Sequence, residues 1–440
     1  MKNTLGSWKL LFASVVLLFT FGTSQFAAAA TLCVNTGGTG GCYSTITAAV
    51  AAAAAGSTIN VAAGTYKEDV VIGKSLYLIG AKNTTTIVDA AGLSNAFYVD
   101  GLDNKGLSDV TIQGFTAENA NFEGIAVTSA SNVTIWGNIV SKNDLSLDTS
   151  NSTCPGLPAW ETSEGLDCGE GIHLSGTAYS TVQNNVSEGN SGGILISDDT
   201  AKSQYNLIAG NTFKDNLYDC GITIPSHPAY PSTVKKPYGI YNNTIYGNTS
   251  TGNGTALAGA GSGVLLAGFV PGATVDGTVI LNNTLTHNGL PGVVFHGHSN
   301  GGSPGVAIED TLVADNTINN DGADTGDAVT PGTTGINFFG AAAAKPAAAA
   351  SLLNTQIYGN TITDEDYAIV ANSADFLIAQ LNNLDNVGKT GVDGIGTGAV
   401  NATQNYWGCT EGPTNASCSK VTGSKVTVVP FLTAKFTPTE

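Results

Sequence analysis

A two-part phrase returns at least eight times along these 440 residues, and it restricts the fold more than any other feature. Each phrase opens with Gly, once replaced by Ala, before Ile or Val and an apolar run, and an Asn then opens a second run. The first steps are Gly124, Gly171, Gly193, Gly221, Gly263, Gly292, Gly335 and Ala368, and the Asn partners are Asn138, Asn185, Asn211, Asn243, Asn283, Asn316, Asn360 and Asn383. The shortest repeat, from Gly171 to Gly193, spans 22 residues, a period typical of solenoids.

The local period within each phrase predicts strands and not helices. Apolar and other residues alternate in segments such as 133–137 and 171–175, and Gly, Asn or Asp interrupts each segment within a few positions. Repeats of this kind bury their apolar side chains only against neighbouring repeats. The chain is therefore predicted to be an all-β solenoid, a parallel β-helix of about eleven coils with strands about 4.8 Å apart along the axis.

The recurring Asn has a structural interpretation. Asn tolerates a left-handed backbone at corners, and its side-chain amide can bond to the equivalent Asn one coil above and below. We therefore expect the Asn column to form a ladder and not a binding site.

The start of the chain predicts export. Residues 1–30 combine two lysines, an apolar run over 10–21 and small residues, as in a secretory signal cleaved near Ala30. The apolar run is too short to be kept as a membrane span, so the mature chain is expected to be secreted or periplasmic with no membrane span. The predicted parts of the single domain 31–440 are an N-terminal cap over 31–57, coils over 58–404 and a C-terminal cap over 405–440.

Seven cysteines in an exported chain favour disulfides. The close pairs at the two ends, which can staple the caps, are Cys33 with Cys42 and Cys409 with Cys418. Cys154 with Cys168 would close one long loop and leave Cys220 over, and the pairing among these three stays open.

The charged residues bear on the choice of partner. All 16 basic residues are lysine, against 34 acidic residues, and the formal net charge is −18. Since the chain has no arginine and no basic cluster beyond Lys235 and Lys236, nucleic acid is not an expected partner.

Both ends of the mature chain have a distinctive pattern. Residues 44–55 are predicted to form a short Ala-rich helix with Ser44 or Thr45 as its N-cap. Strands are predicted over 58–61, 70–72 and 76–79. The most characteristic segments are Gly56-Ser57-Thr58-Ile59, Val61, Gly64-Thr65-Tyr66-Lys67-Glu68, Leu76-Tyr77-Leu78-Ile79-Gly80, Asn405-Tyr406-Trp407-Gly408, Gly412-Pro413 and Val429-Pro430-Phe431-Leu432.

These segments resemble the right-handed parallel β-helix proteins of the pectin-lyase-like superfamily, in their exported bacterial form. The resemblance covers essentially all of 31–440 and implies a right-handed helix with a capping α-helix at its start. It does not select an activity, because the superfamily includes pectate lyases, polygalacturonases, uronate epimerases, periplasmic copper-delivery proteins and adhesins.

Insertions between the repeats indicate where a ligand can bind. Loops expected to stack into one wall cover 198–205, 226–237, 268–276, 297–304 and 340–350, and those of a second wall cover 144–169, 248–262 and 320–334. The outward side of the Gly strands lies between the walls and is the expected cleft, unless the loops cover it. Its predicted floor is His173, Ser175, Leu195, Ser197, Thr223, Leu265, Val294, His296 and Asn337.

The candidate catalytic residues lie at and near the exit corner of these strands. Asp199 is predicted to lie about 5 Å from His227 on the next coil, with Asp198 beside it. Glu170 and His173 lie one coil earlier, and a carboxylate beside an imidazole can perform general acid–base catalysis. Candidate substrate contacts are Trp160, Asp219, His296 and His298.

The resemblance to particular enzymes of the superfamily is partial. Asp198-Asp199 together with His296-Gly297-His298 is similar to the clustered aspartates and histidine of polygalacturonases, but the Asn-Thr-Asp and Arg-x-Lys steps are missing. The Asp-Pro-His step of the uronate epimerases is also missing, and the arginine that many pectate lyases use as a base is absent.

Two kinds of metal site are considered. Ca²⁺ is the candidate cofactor for carboxylates that converge at a corner, either Asp364, Glu365 and Asp366 or Asp321, Asp324 and Asp327. Copper or zinc would suit His296 and His298 with His227 if the chain stays extended through Gly297. A pair of surface histidines is the simpler interpretation.

Three functions follow from these patterns. The leading hypothesis is an exported carbohydrate-associated protein that binds a polysaccharide or cell-surface glycan. If it is an enzyme, it is expected to process this glycan as a hydrolase or a lyase. The alternative is a non-catalytic surface or matrix protein, structural or adhesive, that uses the β-helix as a rod. A third is periplasmic metal delivery. Convergence of Asp198, Asp199, His173 and His227 on one point distinguishes the first from the second.

Overall fold

A computed structural model describes residues 28–162, 168–257, 260–299, 301–327, 330–340 and 350–438. Most of the predicted signal peptide lies outside these residues, so cleavage near Ala30 stays a prediction. Within the described ranges, no helix is long and apolar enough to cross a membrane.

Three long sheets run along the molecule, and each coil of the chain passes through them in turn. The fourteen described strands of sheet A are Thr31–Val34, Ser57–Val61, Leu76–Gly80, Thr111–Gln113, Thr134–Trp136, Thr181–Gln183, Leu207–Ala209, Thr244–Tyr246, Val279–Leu281, Leu312–Ala314, Gln356–Tyr358, Leu377–Gln380, Val400–Asn401 and Val426–Thr427. The eleven of sheet B are Gly64–Tyr66, Thr86–Asp89, Thr116–Glu118, Ile139–Ser141, Val186–Glu188, Thr212–Lys214, Thr249–Thr251, Thr284–Thr286, Thr317–Asn319, Thr361–Thr363 and Asn383–Asp385.

Sheet C contains the strands that follow the repeated glycines. Its twelve described strands are Val70–Ile72, Phe97–Asp100, Ile125–Thr128, Ile172–Ser175, Ile194–Ser197, Ile222–Ser226, Val264–Gly268, Val293–Gly297, Thr334–Phe338, Tyr367–Ala371, Thr390–Asp393 and Val421–Thr422. Strands of successive coils pair in parallel in all three sheets. The predicted right-handed parallel β-helix is confirmed.

A fourth sheet was not predicted from the sequence. The four strands of this sheet D are Ser203–Gln204, Ile240–Tyr241, Thr274–Asp276 and Ala307–Glu309. They lie within or directly after four of the loops expected to form the first wall. These loops are therefore held together by backbone pairing and do not simply lie side by side.

The capping helix is present but shorter than predicted. It spans Ile46–Ala52, and Thr45 is the N-cap, since its side chain accepts a hydrogen bond from Ala48 N. The helix stops there because Ala53 adopts an extended backbone.

Both predicted caps contain strands of the long sheets. Thr31–Val34 lies in the N-terminal cap and pairs with Ser57–Val61 of sheet A. At the other end, Val421–Thr422 joins sheet C and Val426–Thr427 joins sheet A. The stacking of strands thus extends past the predicted boundary at residue 404.

The core is built from identical side chains stacked in register. Ile125, Ile172, Ile194 and Ile222 pair in succession along sheet C, and all four are fully buried. Burying one such side chain contributes about 1.5–3 kcal/mol. The residue after each repeated Gly therefore points inward, as predicted.

The predicted asparagine ladder is present. Its members are Asn138, Asn185, Asn211, Asn248, Asn283, Asn316, Asn360, Asn382 and Asn405, and each Nδ2 donates to the next Oδ1 at 2.9–3.0 Å. Two of the predicted members were wrong. Asn248 takes the place of Asn243, which lies at another corner and accepts from Asn206 N. Asn382 takes the place of Asn383, which lies in a strand of sheet B.

A second ladder was missed. It runs through Asn143, Asn190, Asn216, Asn253 and Asn288, with Nδ2 to Oδ1 distances of 2.8–3.1 Å. Two acidic residues continue it: Asn288 Nδ2 donates to Asp321 Oδ1 at 2.8 Å, and Asp321 N donates to Glu365 Oε1 at 2.7 Å. An amide ladder that ends in carboxylates buries two titratable groups.

Replacing Asn211 with alanine is expected to lower the free energy of unfolding by about 3 kcal/mol or more. Asn211 Oδ1 accepts from Asn185, and Asn211 Nδ2 donates to Val182 O and to Asn248, all in the buried interior. Chemical denaturation followed by circular dichroism measures the loss. Asn60→Ala is the matched control, because Asn60 is an exposed strand asparagine, and it should cost under about 0.5 kcal/mol. Equal stability of the two variants would contradict a structural ladder.

Disulfides join the predicted pairs. The bonded cysteines are Cys33 with Cys42, Cys154 with Cys168 and Cys409 with Cys418. Cys220 is a free buried thiol whose Sγ lies 3.1 Å from Ser262 Oγ, and burial raises its pKa well above the ordinary value. The structure therefore settles the pairing that the spacing left open.

Candidate functional site

The outward face of sheet C carries the residues expected on the cleft floor. Within Ile172–Ser175, Ile172 and Leu174 belong to the apolar core, whereas His173 contacts the loops outside the helix. Farther along the same face, Leu265 and Val294 form a small apolar cluster separate from the core. The face is thus polar near His173 and apolar in its middle.

Loops close over the polar part of this face. The side chains of His173, Asp199 and His227 are almost completely buried. From the covering loops, Thr162 Oγ1 donates to Asp199 Oδ1, and Tyr230 N donates to Asp199 O. The polar part of the predicted cleft floor is therefore covered by loops. This is the second of the two alternatives that the sequence allowed.

His173 is the centre of the polar cluster. Its Nδ1 lies 3.1 Å from Glu123 Oε1 and 3.3 Å from Glu161 Oε1, and its Nε2 lies 2.8 Å from Ser197 Oγ. The Ser197 hydroxyl bonds to Asp199 and lowers the pKa of that carboxyl, so this hydroxyl donates there and accepts from His173 Nε2–H. Nδ1 then faces the carboxyl oxygens of both Glu123 and Glu161, which can accept a hydrogen bond from it.

The same three side chains can also hold a cation. One ligand atom from each of Glu123, Glu161 and His173 lies within 4.8 Å of the others. Carboxylate oxygens and an imidazole nitrogen at this spacing suit a divalent metal ion as well as a shared proton.

Aromatic rings lie beside His173. The Trp160 ring is centred 5.5 Å from the imidazole and stacks on Tyr98 at 6.3 Å with an interplanar angle of 10°. The Tyr98 hydroxyl lies 3.0 Å from Thr128 Oγ1, and burial raises the pKa of Tyr98. Both rings are partly exposed, so they form the edge of the buried cluster that faces solvent. Flat rings at such an edge can stack on sugars.

Asp199 and His227 form the pair predicted from the repeat spacing. Asp199 Oδ2 lies 3.2 Å from His227 Nδ1, and Asp199 Oδ1 accepts from Thr162 Oγ1 at 2.5 Å. Burial by itself raises the pKa of Asp199, but the charge and hydrogen bond of His227 outweigh burial and lower the pKa to about 2. Asp199 is therefore an anion at neutral pH.

These contacts join into one continuous chain of polar groups across the coils. His173 reaches Asp199 through Ser197, and Asp199 reaches His227 directly. We call the following set the sheet C network: Glu123, Glu161, His173, Ser197, Asp199 and His227.

Asp198 is turned away from this network. Its Oδ1 accepts from His227 N at 2.7 Å, and its Oδ2 accepts from Ser226 Oγ at 3.0 Å and from Gly239 N at 2.6 Å. Burial raises the pKa of Asp198 to about 6 against the lowering effect of the two backbone hydrogen bonds. Asp198 thus ties both ends of the 227–239 loop to sheet C. The four residues expected to converge on one point do not do so: His173, Asp199 and His227 are linked in a chain through Ser197, and Asp198 faces the loop.

Glu170 and Asp219 lie together at the entrance of the sheet C strands. A Cβ placed on Gly192 would lie 2.8 Å from Glu170 Cγ and 3.4 Å from Asp219 Cβ, so the two carboxylates flank this glycine. Asp219 Oδ2 accepts from Thr223 Oγ1 at 2.9 Å. Glu170 is 1% exposed, and it lies one coil away from the position of Glu123.

The other two predicted histidines form a separate group farther along sheet C. His296 Nε2 lies 2.7 Å from Asp324 Oδ2, and the His296 and His298 rings are centred 5.1 Å apart. Phe269 stacks on His298 at 4.8 Å and meets His227 edge-on at 5.0 Å. His227 therefore belongs to the sheet C network and is separated from His298 by an aromatic ring.

A family profile described as "Protein of unknown function (DUF1565)" matches residues 33–268, which is more than half of the chain. The chain belongs to the DUF1565 family. The matched residues of this DUF1565 protein include the whole sheet C network. No curated protein matches the sequence.

Solved structures similar to this DUF1565 protein include a lyase, an epimerase module and an adhesin. An alginate lyase from Paenibacillus sp. str. FPU-7 is 13% identical with a TM-score of 0.43, over 90% of this chain and 99% of that one. The A-module of the mannuronan C-5 epimerase AlgE4 from Azotobacter vinelandii is 17% identical with a TM-score of 0.45, over 78% and 91%. The surface adhesin PfbA of Streptococcus pneumoniae is 14% identical with a TM-score of 0.47, over 82% and 84%.

The acidic step considered for calcium does not converge in this DUF1565 protein. Glu365 is buried in the second ladder, Asp366 pairs with Lys389 Nζ at 2.8 Å, and Asp364 accepts from Asn386. Three different partners in three directions do not make the converging oxygen set that calcium needs. A calcium cofactor stays an untested prediction for this chain.

Two residues of the network in this DUF1565 protein were missed at the sequence level. Glu123 precedes the repeated Gly124 as Glu170 precedes Gly171, so the repeat contained a signal for it. Glu161 lies in the long insertion of the second wall, where no repeat spacing applies. Its neighbour Trp160 was predicted from the sequence as a candidate substrate contact.

Proposed function

We propose that this protein is a polysaccharide-processing enzyme that binds a glycan against Trp160 and Tyr98 and cleaves it by general acid–base catalysis in the sheet C network. One observation carries the proposal: a continuous, buried and charged chain of polar side chains lies directly beneath a pair of stacked, partly exposed rings.

The burial of this network argues against a purely structural role. Taking ionisable groups out of water costs free energy unless they are paired, and a paired cluster is often no more stabilising than apolar packing. A purely structural β-helix does not need buried ionisable groups. The outward positions of sheets A and B carry uncharged residues instead, such as Thr134, Thr181 and Thr249, which are partly exposed. The buried and interacting ionisable groups on sheet C support placing the proposed function on this face.

The geometry supplies an acid on one side of the network. His173 Nδ1 lies 3.1 Å from Glu123 Oε1 and 3.3 Å from Glu161 Oε1, and Glu161 follows Trp160 directly in the chain. A sugar stacked on the Trp160 ring therefore lies close to this group of side chains, which acts as the proton donor in the proposed reaction. Donation to the glycosidic oxygen allows the bond from that oxygen to the sugar carbon to break.

The Asp199–His227 pair supplies the base. An anionic Asp199 holds the imidazole by Nδ1 and stabilises the charge that His227 gains when Nε2 accepts a proton. If the proton comes from water, the reaction is hydrolysis, and if it comes from a sugar ring carbon, the reaction is elimination. The products of elimination carry a double bond, so the two reactions are distinguished by product analysis.

Incubation of the purified protein with a panel of neutral and acidic polysaccharides tests the proposal. The wild type is expected to release new reducing ends on at least one of them, with unsaturated ends only if the reaction is elimination. Glu161→Gln removes one carboxylate from His173 Nδ1 and is expected to lower the rate by about 100-fold or more.

A histidine outside the network provides the control. His287 is exposed and has a left-handed backbone with φ of 59°, so Asn is the substitution that its backbone tolerates. His287→Asn is expected to keep full activity. An inactive wild type on the whole panel, or equal rates for wild type and Glu161→Gln, would overturn the proposal in favour of a non-catalytic rod.

A further inference from the structure

A second group of potential ligands lies on sheet C away from the network. His296 lies in the strand Val293–Gly297, His298 directly follows this strand, and Asp327 lies on the loop after Thr317–Asn319. One ligand atom from each of these three side chains lies within 4.8 Å of the others. His296 is almost fully buried, whereas the Asp327 side chain is 45% exposed, so the group opens to solvent on one side.

Extended backbone brings the two histidines to the same side. Gly297 belongs to the strand and pairs with Gly268 on the preceding coil. Residues two apart on an extended strand point the same way, and the two rings are centred 5.1 Å apart with an angle of 82°. The chain thus stays extended through Gly297, as a metal site at His296 and His298 requires. The third residue of this group is Asp327 and not the predicted His227.

Asp324 determines which nitrogen of His296 is free to bind. Asp324 Oδ2 lies 2.7 Å from His296 Nε2, and since an ionised carboxylate only accepts, Nε2 carries the hydrogen. In the neutral ring Nδ1 then presents a lone pair, and it faces Asp327 Oδ2 at 3.9 Å, beyond hydrogen-bond distance. A carboxylate that holds the far nitrogen of an imidazole is the usual support for a metal-binding histidine.

Asp324 is itself held in place. Asp324 N donates to Thr330 Oγ1 at 2.9 Å, and Asp327 N donates to Asp324 Oδ1 at 2.9 Å. One carboxylate therefore orients His296 through Oδ2 and positions the backbone of Asp327 through Oδ1. The support and the third ligand belong to the same turn.

We propose that His296 Nδ1, His298 and Asp327 bind a divalent transition-metal ion, with Asp324 as the positioning residue. Two imidazoles and one carboxylate suit zinc and its neighbours better than calcium, which prefers oxygen ligands alone. Three protein ligands leave at least one position for water or another molecule. Phe269 lies against the outer face of His298 and limits its movement.

This site is independent of the proposed glycan chemistry. Strand pairing carries His173 to Leu195, Thr223, Leu265 and Val294 in successive coils, so the metal group lies roughly 19 Å from His173 along the axis. It lies two coils from His227, and the Phe269 ring separates His298 from that histidine. Loss of metal binding and loss of glycan cleavage can therefore be separated by variants.

Titration of the metal-free protein with Zn²⁺ in a calorimeter, and with Co²⁺ in a spectrophotometer, tests the proposal. The wild type is expected to take up one ion per chain. His298→Ala and Asp327→Asn each remove a ligand and are expected to weaken binding by about 100-fold or more. Asp324→Asn keeps all three ligands but disturbs the orientation of His296, and it is expected to weaken binding by about 10- to 100-fold.

Matched variants make the result decisive. His287→Asn is expected to bind Zn²⁺ as the wild type does, and circular dichroism confirms that each variant folds. No stoichiometric uptake by the wild type would overturn the proposal. Binding that survives His298→Ala but is lost in Glu161→Gln would also overturn it, because the ion would then lie at His173.

Discussion

Replacing Asp199 with asparagine is expected to lower the turnover number on the glycan substrate by about 100- to 10,000-fold. The amide keeps the shape of the carboxylate and can still accept from Thr162 Oγ1, so the loop stays closed. It removes the negative charge that holds His227 Nδ1 and that supports a positive charge on the imidazole. In the proposed function the substrate stacks on Trp160 and does not contact this charge, so KM is expected to change little while kcat falls.

The pH profile provides a second readout. The pKa of Asp199 is lowered to about 2, so this group stays ionised across the working range and does not cause the acidic limb of the rate profile. The variant is therefore expected to be slower at every pH with its limbs little changed. Its stability should match the wild type near pH 2, where the wild-type carboxyl is partly protonated, and fall below it above pH 4. Wild-type activity in Asp199→Asn would exclude the pair from catalysis.

Replacing Asp321 with asparagine is expected to stabilise the fold by roughly 3 kcal/mol or more above pH 8. Burial raises the pKa of Asp321 to about 8, against hydrogen bonds from Asn288 that lower it. Its Oδ2 is buried without a hydrogen-bond partner among the described residues. An amide at this position can donate to Glu365 Oε1 as Asn288 donates to Asp321 now, so the second ladder would extend by one step.

The sign of the pH dependence follows from the raised pKa. The pKa of the Asp321 carboxyl is higher in the folded state than in the unfolded state, where it is near 4. Its contribution to the free energy of unfolding is therefore largest below pH 4 and is lost as the pH rises to about 8. Glu365 adds to the same trend, because burial and the neighbouring Asp321 raise its pKa to about 8 as well. The advantage of Asp321→Asn over the wild type is therefore expected to be smallest near pH 4 and to grow up to pH 8.

Denaturation curves at several pH values measure this difference. Asp103→Asn serves as the control, because Asp103 is exposed on a loop, and its curve should remain parallel to the wild type. Glu365→Gln is expected to reproduce part of the gain in stability, since it removes the carboxylate that follows Asp321 in the second ladder. A constant offset between Asp321→Asn and the wild type from pH 4 to pH 9 would show that Asp321 does not titrate as the burial requires.

Much of the architecture could be read from the repeat. The inward position after each Gly, the pairing of Asp199 with His227 on the next coil and the disulfides at the two caps all follow from spacing. The ladder was predicted with two members displaced, because Asn243 and Asn383 lie close in sequence to the true members Asn248 and Asn382. Spacing identifies a column of corners but does not choose between two asparagines near one corner.

The candidate site was only half predictable. His173, Asp199 and His227 lie on regular strands or at their ends, so their register placed them together. Glu161 and Thr162 come from the long loop of the second wall, and Asp324 and Asp327 come from another insertion. The carboxylates of Glu161, Asp324 and Asp327 decide the chemistry of the two histidine groups, since they determine which ring nitrogens carry hydrogens.

The sequence by itself determined the coil, the inward and outward faces, most of the ladder and the strands on which the candidate site lies. It did so because each coil repeats the same residue types at one spacing, and neighbours one coil apart stack directly. Only the tertiary structure decided that loops cover the polar part of the sheet C face, that Asp198 binds the backbone of the 227–239 loop and not the His227 imidazole, and that His296 pairs with Asp324. Insertions have no register with the repeat, so the positions of their side chains depend on contacts that form only when the loops pack against the finished helix.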